Sequence, residues 1–134
     1  MKSISLITIG LSLALSGCEK PLDNLELRAQ RELDPIKLQQ WAVHILPNLK
    51  SAKDPTLDEE RLPNEIKTFA GDAPVTSCLA GWDGAPGDAI LIMWGASPGH
   101  IGFIIGDPQF QLTSEQAGYP VRQWIPGVYC FEGD

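Results

Sequence analysis

The feature that most constrains the fold is a change of hydrophobic period near residue 67. Before this point, apolar residues recur at steps of three or four, which is the period of an amphipathic helix. After it, short apolar or β-branched runs alternate with glycine, proline and aspartate, which is typical of strands and turns. Helices followed by strands predict an α+β domain in which the helices pack on one face of a sheet.

Two or three helices are predicted in the first part of the chain. The first covers about residues 22–33 and is broken at Asp34. Asp34 can cap a second helix, because Pro35 fits the first turn, where its missing N–H costs no hydrogen bond. The sequence Thr-Leu-Asp-Glu at 56–59 matches a capping box, and Pro63 limits the helix that follows to about two turns. The apolar positions expected to face the sheet are Leu22, Leu25, Ala29 and Leu33, then Leu38, Trp41, Ala42, Ile45 and Leu49.

The second part of the chain predicts a sheet of four or five mainly antiparallel strands. Residues 90–93 form a continuous apolar block, as in a central strand that is covered on both faces. The connections between the apolar runs are short, which favours an antiparallel meander. The runs cover residues 74–79, 88–94, 100–106, 121–125 and 128–131.

The charge balance excludes one class of partner. The 134 residues carry 10 Lys+Arg and 17 Asp+Glu, a net charge of -7. Binding to a nucleic-acid backbone requires clustered cations, so no nucleic-acid partner is expected. After residue 67 there is one cation, Arg122, against seven anions. Arg122 could hold the carboxylate of a partner bidentately, or it could neutralise one of these anions.

The amino-terminal segment has the layout of an export signal. Lys2 precedes an apolar run over residues 4–15, which is shorter than the roughly 20 residues that a membrane-spanning helix needs. The run ends in Leu15-Ser16-Gly17-Cys18, which resembles the lipobox of bacterial lipoproteins. The resemblance implies diacylglycerol on the sulfur of Cys18, cleavage before Cys18, and acylation of the new amino terminus. Cys18 is therefore the predicted lipidation site.

The lipobox resemblance also sets the predicted organisation of the chain. Residues 1–17 are the signal peptide and residues 18–24 a lipidated tether. Residues 25–134 form one α+β domain, which is helical over 25–62 and strand-rich over 66–134.

The residue that follows Cys18 bears on location. The expected partner is a membrane of the cell envelope, which the chain reaches through its lipid anchor. In Gram-negative lipoproteins, Asp after the lipidated cysteine commonly marks retention in the inner membrane. Glu19 therefore favours the periplasmic face of the outer membrane.

Two cysteines remain once Cys18 carries lipid. Cys78 and Cys130 are the two left, and an even number of cysteines in an exported domain favours a disulfide between them. The alternative is a pair of reduced, buried and inert thiols.

A second resemblance covers residues 84–107. A Pro-Gly-Asp turn at 86–88 and the sequence His-Ile-Gly-Phe at 100–103 resemble the core of NlpC-type cell-wall peptidases, which are papain-like cysteine hydrolases. The resemblance implies that His100 is the general base. The family's nucleophilic Cys, followed by Ser and Gly, has no counterpart in residues 41–50. A hydrolase of this type would have to use Cys78 with His100.

The leading functional prediction is a non-catalytic binding or structural role with an envelope protein or glycan as partner. No zinc-spaced cluster, phosphate-binding glycine loop or serine elbow is present, so neither a metal nor a cofactor is predicted. The alternative is a cysteine hydrolase of the cell-wall peptidase type using Cys78 and His100, and a third hypothesis is a small-ligand carrier with a sheet-lined cavity. Because exposed aromatic and arginine side chains make large contacts, the candidate binding residues are Trp82, His100, Arg122 and Trp124.

Overall fold

The computed structural model describes residues 21–80, 88–95 and 100–133. Within these residues, helices come first, and the strands that follow form one antiparallel sheet. The predicted α+β class is confirmed. The helices are α1 (Pro21–Glu32), α2 (Pro35–Lys50), α3 (Asn64–Ala70) and α4 (Ser114–Ala117), and a 3-10 turn covers Glu59–Arg61. The strands are β1 (Val75–Leu79), β2 (Ala89–Trp94), β3 (His100–Gly106), β4 (Val121–Ile125) and β5 (Val128–Gly133).

The first helix begins at Pro21, within one residue of its predicted start, so the folded domain begins before the predicted boundary at residue 25. Leu22, Leu25 and Ala29 are buried along one side of α1, as the apolar spacing indicates. Because Leu22 is only 3% exposed, the first turn of α1 is already part of the core. The predicted tether, residues 18–24, therefore overlaps the folded domain from Pro21 onward.

The second helix begins as predicted. The carboxylate of Asp34 accepts hydrogen bonds from the backbone N–H groups of Ile36 (3.0 Å) and Lys37 (3.4 Å), and Pro35 occupies the first turn. Pro47 lies inside the helix, which continues to Lys50. The buried side of α2 consists of Leu38, Gln39, Ala42, Ile45 and Leu49.

Residues 56–59 do not start a helix, contrary to the capping-box prediction. Thr56 pairs with Cys78 in an isolated antiparallel bridge, and the N–H of Leu57 donates to the carbonyl of Ser77 at 3.0 Å. Leu57 is buried, which holds the segment against the sheet. The segment therefore runs along the outer edge of β1 and supplies part of the hydrogen bonding that an edge strand lacks.

The third helix, α3, begins after Pro63, whereas the predicted third helix ends before this proline. The carbonyl of Pro63 accepts hydrogen bonds from the N–H groups of Ile66 (3.0 Å) and Lys67 (3.3 Å). Proline is favoured at the start of a helix because its φ angle is already helical and its missing N–H has no partner there. The helical part therefore extends to Ala70, beyond the predicted limit of residue 62.

The sheet has the strand order β1-β2-β3-β5-β4, and every neighbouring pair is antiparallel. The predicted meander is therefore wrong for the last two strands, because β5 lies between β3 and β4. The connection over residues 107–120 is long enough to carry α4 and to pass over β5 on its way to the outer position. The five predicted strands themselves are confirmed, with bounds that agree to within two residues.

Both faces of the central strands are covered. On one face, Ile92, Phe103 and Cys130 belong to the core that packs against α1, α2 and α3. On the other face, Ile104 and Tyr129 pack beneath Phe110, Leu112 and Ala117 of the 107–120 connection. The hydroxyl of Tyr129 accepts a hydrogen bond from the N–H of Leu112 at 3.1 Å, which secures this second layer. The continuous apolar block of β2 reflects burial on two sides, as predicted.

A buried amide joins α2 to the sheet. Gln39 donates from Nε2 to the carbonyl of Gly106 (2.9 Å) and to the carbonyl of Pro126 (2.8 Å). These carbonyls lie at the end of β3 and in the turn between β4 and β5. Gly127 in that turn has φ +90, and a Cβ there would lie 2.0 Å from the carbonyl oxygen of Asp107, so glycine is required.

Replacing Gln39 with Met keeps the side-chain length and removes both donors. We expect the free energy of unfolding to fall by about 1–3 kcal/mol, because two carbonyl groups in a buried seam lose a partner. Urea unfolding followed by circular dichroism measures the change. Gln40 is exposed on the same helix, and Gln40→Met should change the value by no more than about 0.5 kcal/mol. Equal losses in the two variants would contradict the role given to Gln39.

Candidate functional site

The predicted binding residue Arg122 forms an ion-pair cluster with α1. Its Nη1 atom lies 2.5 Å from Oδ1 of Asp23 and 3.0 Å from Oε1 of Glu26. Hydrogen bonds to Asp23 and Glu26 raise the pKa of Arg122 above its ordinary value. We call Asp23, Glu26 and Arg122 the Arg122 cluster. Of the two roles weighed for this guanidinium, neutralising an acid is the one observed, but the acids come from α1 rather than from the strand-rich part.

Trp124 lies on the same face of the sheet and is half-buried. Its ring centroid is 5.8 Å from that of Phe103, with the planes tilted by 31°. Phe103 also contacts Trp94 at 5.6 Å and Phe69 of α3 at 5.9 Å. Trp124 is therefore the outermost ring of an aromatic group that fills the space between sheet and helices, rather than a freestanding contact surface.

His100 lies away from Arg122 and Trp124. It is the first residue of β3 and is paired with Gly133 of β5. Side chains alternate between the two faces of a strand, so His100 shares a face with Ile104, opposite the helices. The structure brings Arg122 and Trp124 together at β4 and leaves His100 on the other side of the sheet. Trp82, the fourth candidate, lies outside the described residues.

Cys78 and His100 are far apart on the sheet. Cys78 pairs with Leu91, which pairs with Ile104, so two strand spacings separate Cys78 from β3. His100 lies four residues before Ile104 along β3. Strand geometry makes the separation roughly 16 Å, whereas a general base must be about 3 Å from the group it deprotonates. Burial also raises the pKa of the Cys78 thiol, which opposes formation of a nucleophilic thiolate.

The predicted disulfide between Cys78 and Cys130 is wrong. Both cysteines are free. Cys130 pairs with Phe103 on the helix-covered face, while Cys78 aligns with Leu91 on the opposite face. Three strand spacings put the two residues about 15 Å apart, and a disulfide needs Cα atoms within about 7 Å. The even cysteine count could not reveal this, because it contains no information on strand order.

Two glycines of the sequence that resembles a cell-wall peptidase have a packing role here. A Cβ on Gly102 would lie 1.9 Å from the carbonyl oxygen of Ile92, and one on Gly106 would lie 2.7 Å from Cβ of Phe110. Neighbouring residues lie so close to both positions that a side chain would clash with them, so glycine is required at each. The turn at 86–88 is described only from Asp88 onward, and its remaining residues lie outside the described part.

Two further findings concern the described part of the chain, residues 21–80, 88–95 and 100–133. In these ranges, no group of three or more His, Cys, Asp and Glu side chains is placed to hold a metal ion. Each helix described there falls short of the length and hydropathy that crossing a bilayer requires. No family model, curated protein or solved structure matches the chain.

Sequence reasoning missed a set of exposed apolar side chains on the helices. Leu27 on α1 and Ile36 and Val43 on α2 are the exposed large hydrophobic residues among those described. Leu27 could have been found from the helical period, because it falls opposite the buried positions Leu22, Leu25 and Ala29. The apolar spacing identifies the buried side of α1 clearly, and a leucine on the other side stands out against it.

Replacing Arg122 with Met tests the energetic weight of the Arg122 cluster. The Arg122 side chain is 41% exposed, so we expect a loss of about 1 kcal/mol or less in the free energy of unfolding. The loss should shrink as salt is added, because mobile ions screen exposed pairs. Arg61 has no ion pair among the described residues, so Arg61→Met is the matched control. A loss of several kcal/mol that salt does not change would contradict this assignment.

The two thiols should differ in reactivity. Burial raises the pKa of Cys78 above its ordinary value and that of Cys130 to about 12. Iodoacetamide should therefore alkylate Cys78 slowly at neutral pH and faster as the pH rises, and it should reach Cys130 only in urea. Peptide mapping by mass spectrometry locates the label. A bridged pair would instead need a reductant before either cysteine reacted.

The same pKa shift predicts a direction for stability at high pH. The unfolded Cys130 thiol has a pKa of 9.0, and burial raises the pKa of the folded thiol to about 12. The stability that Cys130 contributes is therefore intact below about pH 9 and is lost as the pH rises towards 12. Urea unfolding of the parent protein and of Cys130→Val across this range measures the difference.

Proposed function

We propose that this chain is the precursor of a lipoprotein of the bacterial cell envelope, anchored through acylated Cys18, whose folded domain has a binding or structural role. The observation that carries the proposal is the sequence Leu15-Ser16-Gly17-Cys18. It stands at the end of a short apolar run, over residues 4–15, that Lys2 precedes. This arrangement combines an export signal with the cysteine that lipid attachment requires.

The start of the folded domain supports the proposal. Two residues, Glu19 and Lys20, separate Cys18 from Pro21, the first residue of α1. Each methylene group buried in a bilayer contributes about 0.8 kcal/mol, and stable anchoring takes more than one acyl chain. A diacylglycerol and an amide-linked chain on Cys18 would therefore hold the domain firmly at the membrane surface. Glu19 supports an outer-membrane location if the host is Gram-negative.

The distance between Cys78 and His100 argues against the cysteine-hydrolase alternative. The two residues are two strands apart and four residues out of register, so a proton cannot pass directly between them. The binding role therefore remains the proposal, with an envelope protein or a glycan as the partner class. Because Arg122 is engaged by Asp23 and Glu26, a partner carboxylate would have to compete with two acids already in place.

Replacing Cys18 with Ser tests the anchor. In a bacterial host supplied with radiolabelled palmitate, we expect the parent protein to carry label and to sediment with membranes. The Cys18→Ser variant should lose the label, because serine lacks the sulfur to which the diacylglycerol is bonded. Gel autoradiography with membrane fractionation measures both properties.

Cys78→Ser is the matched control for this experiment. It removes one sulfur from the folded domain and leaves the lipobox intact, so labelling and sedimentation should match those of the parent. An unlabelled parent protein, or equal labelling of the Cys18→Ser variant, would overturn the proposed function.

A further inference from the structure

The outer side of α1 carries a short stripe of a particular composition. Asn24, Leu27 and Arg31 are spaced by three and four residues and lie on one line of the helix. At 3.6 residues per turn, this line is opposite the side that buries Leu22, Leu25 and Ala29. Leu27 is 59% exposed, more than either of the other two exposed large hydrophobic residues. We call Asn24, Leu27 and Arg31 the outer stripe.

The acids of α1 are directed elsewhere. Asp23 and Glu26 contact Arg122 on the sheet side, and Glu32 pairs with Arg28. Arg31 forms no ion pair among the described residues. The outer stripe therefore combines an exposed leucine with a cation that no acid in the described part of the chain neutralises, although the whole chain carries a net charge of -7.

The length of chain between the anchor and the helix limits where α1 can lie. Three residue steps lead from Cys18 to Pro21, and an extended chain covers at most about 11 Å over that distance. Leu27 is six residues further on, which is about 9 Å along a helix axis. A lipid on Cys18 therefore keeps Leu27 within about 20 Å of the anchored residue, and a link this short lets the outer stripe reach the membrane surface.

From these three observations we infer that α1 lies on the membrane, with its outer stripe facing the phospholipids. Leu27 inserts among the lipid chains near the headgroups, and Arg31 binds a lipid phosphate, the arrangement by which interfacial helices bind anionic bilayers. The inference rests on the proposed function, because it takes lipidated Cys18 as the tether. It fixes the orientation of the domain: the sheet, on the buried side of α1, is turned away from the bilayer.

A photocrosslinking experiment tests this orientation in the full-length lipidated protein. Leu27 is replaced with p-benzoylphenylalanine, and the protein is incorporated into vesicles of phosphatidylethanolamine and phosphatidylglycerol. After illumination, mass spectrometry should detect lipid adducts at position 27. Because Leu27 is exposed, the substitution leaves the core intact, and circular dichroism checks that it does.

Val43 provides the matched control position. It is 40% exposed and lies on α2, in a shallow groove with Gln40, His44 and Pro108 rather than with residues of α1. The yield of lipid adducts at position 27 should exceed that at position 43 several-fold. Adding Arg31→Gln should lower the yield at position 27 in these vesicles and have less effect in vesicles of phosphatidylcholine alone.

The outcomes distinguish a wrong orientation of α1 from the absence of a lipid anchor. Equal yields at positions 27 and 43, or no adduct at position 27 in protein shown by mass to carry acyl chains, would overturn the orientation and leave the lipid anchor standing. Protein without acyl chains would overturn the proposed function, and the orientation with it. Adducts confined to position 27, and weakened by Arg31→Gln, would support both.

Discussion

The fold depends on burial of the central strands on both faces of the sheet. Phe103 and Ile104 are neighbours on β3, point to opposite faces, and are both 0% exposed. Covering only one face would leave one of these side chains in water, at a cost of about 1.5–3 kcal/mol for each large apolar residue. The three helices before the sheet cover one face, and the 107–120 connection covers the other. The same connection carries the chain past the position of β5, which is why β4 becomes an outer strand.

This two-layer burial also decides where the reactive side chains lie. Alternation along a strand places Cys78 and Cys130 on opposite faces, and the strand order places β2 and β3 between them. His100 shares a face with Cys78 but is displaced along the sheet. Cys78, Cys130 and His100, the residues that suggested a disulfide or a cysteine hydrolase, are therefore far apart. Burial of the two thiols also raises the pKa of each and disfavours their ionisation.

A few polar contacts fix the helices on the sheet. Gln39 connects α2 to the end of β3, and the Arg122 cluster connects α1 to β4. Near the other end of α1, the Arg28 guanidinium lies 4.2 Å from the ring centre of Phe69 and donates to the Phe69 carbonyl at 3.0 Å. These contacts occupy the acids and one arginine of α1. What they leave exposed on its outer side includes Asn24, Leu27 and Arg31, the outer stripe on which the proposed orientation at the membrane rests.

The sequence by itself determined the two amphipathic helices, the cap at Asp34, the five strands and the overall α+β class, because helical and strand periods are local properties of the chain. It also contains Leu15-Ser16-Gly17-Cys18, the resemblance to a lipobox on which the proposed anchor rests, and that interpretation needs no tertiary structure. Only the tertiary structure decided that residues 56–59 run along the edge of β1, that β5 separates β3 from β4, and that Cys78 and Cys130 do not meet. It also supplied the partners of Gln39 and Arg122, which lie 67 and 96 residues away along the chain. Such outcomes depend on which distant segments bury each other's surfaces, and no local pattern specifies that choice.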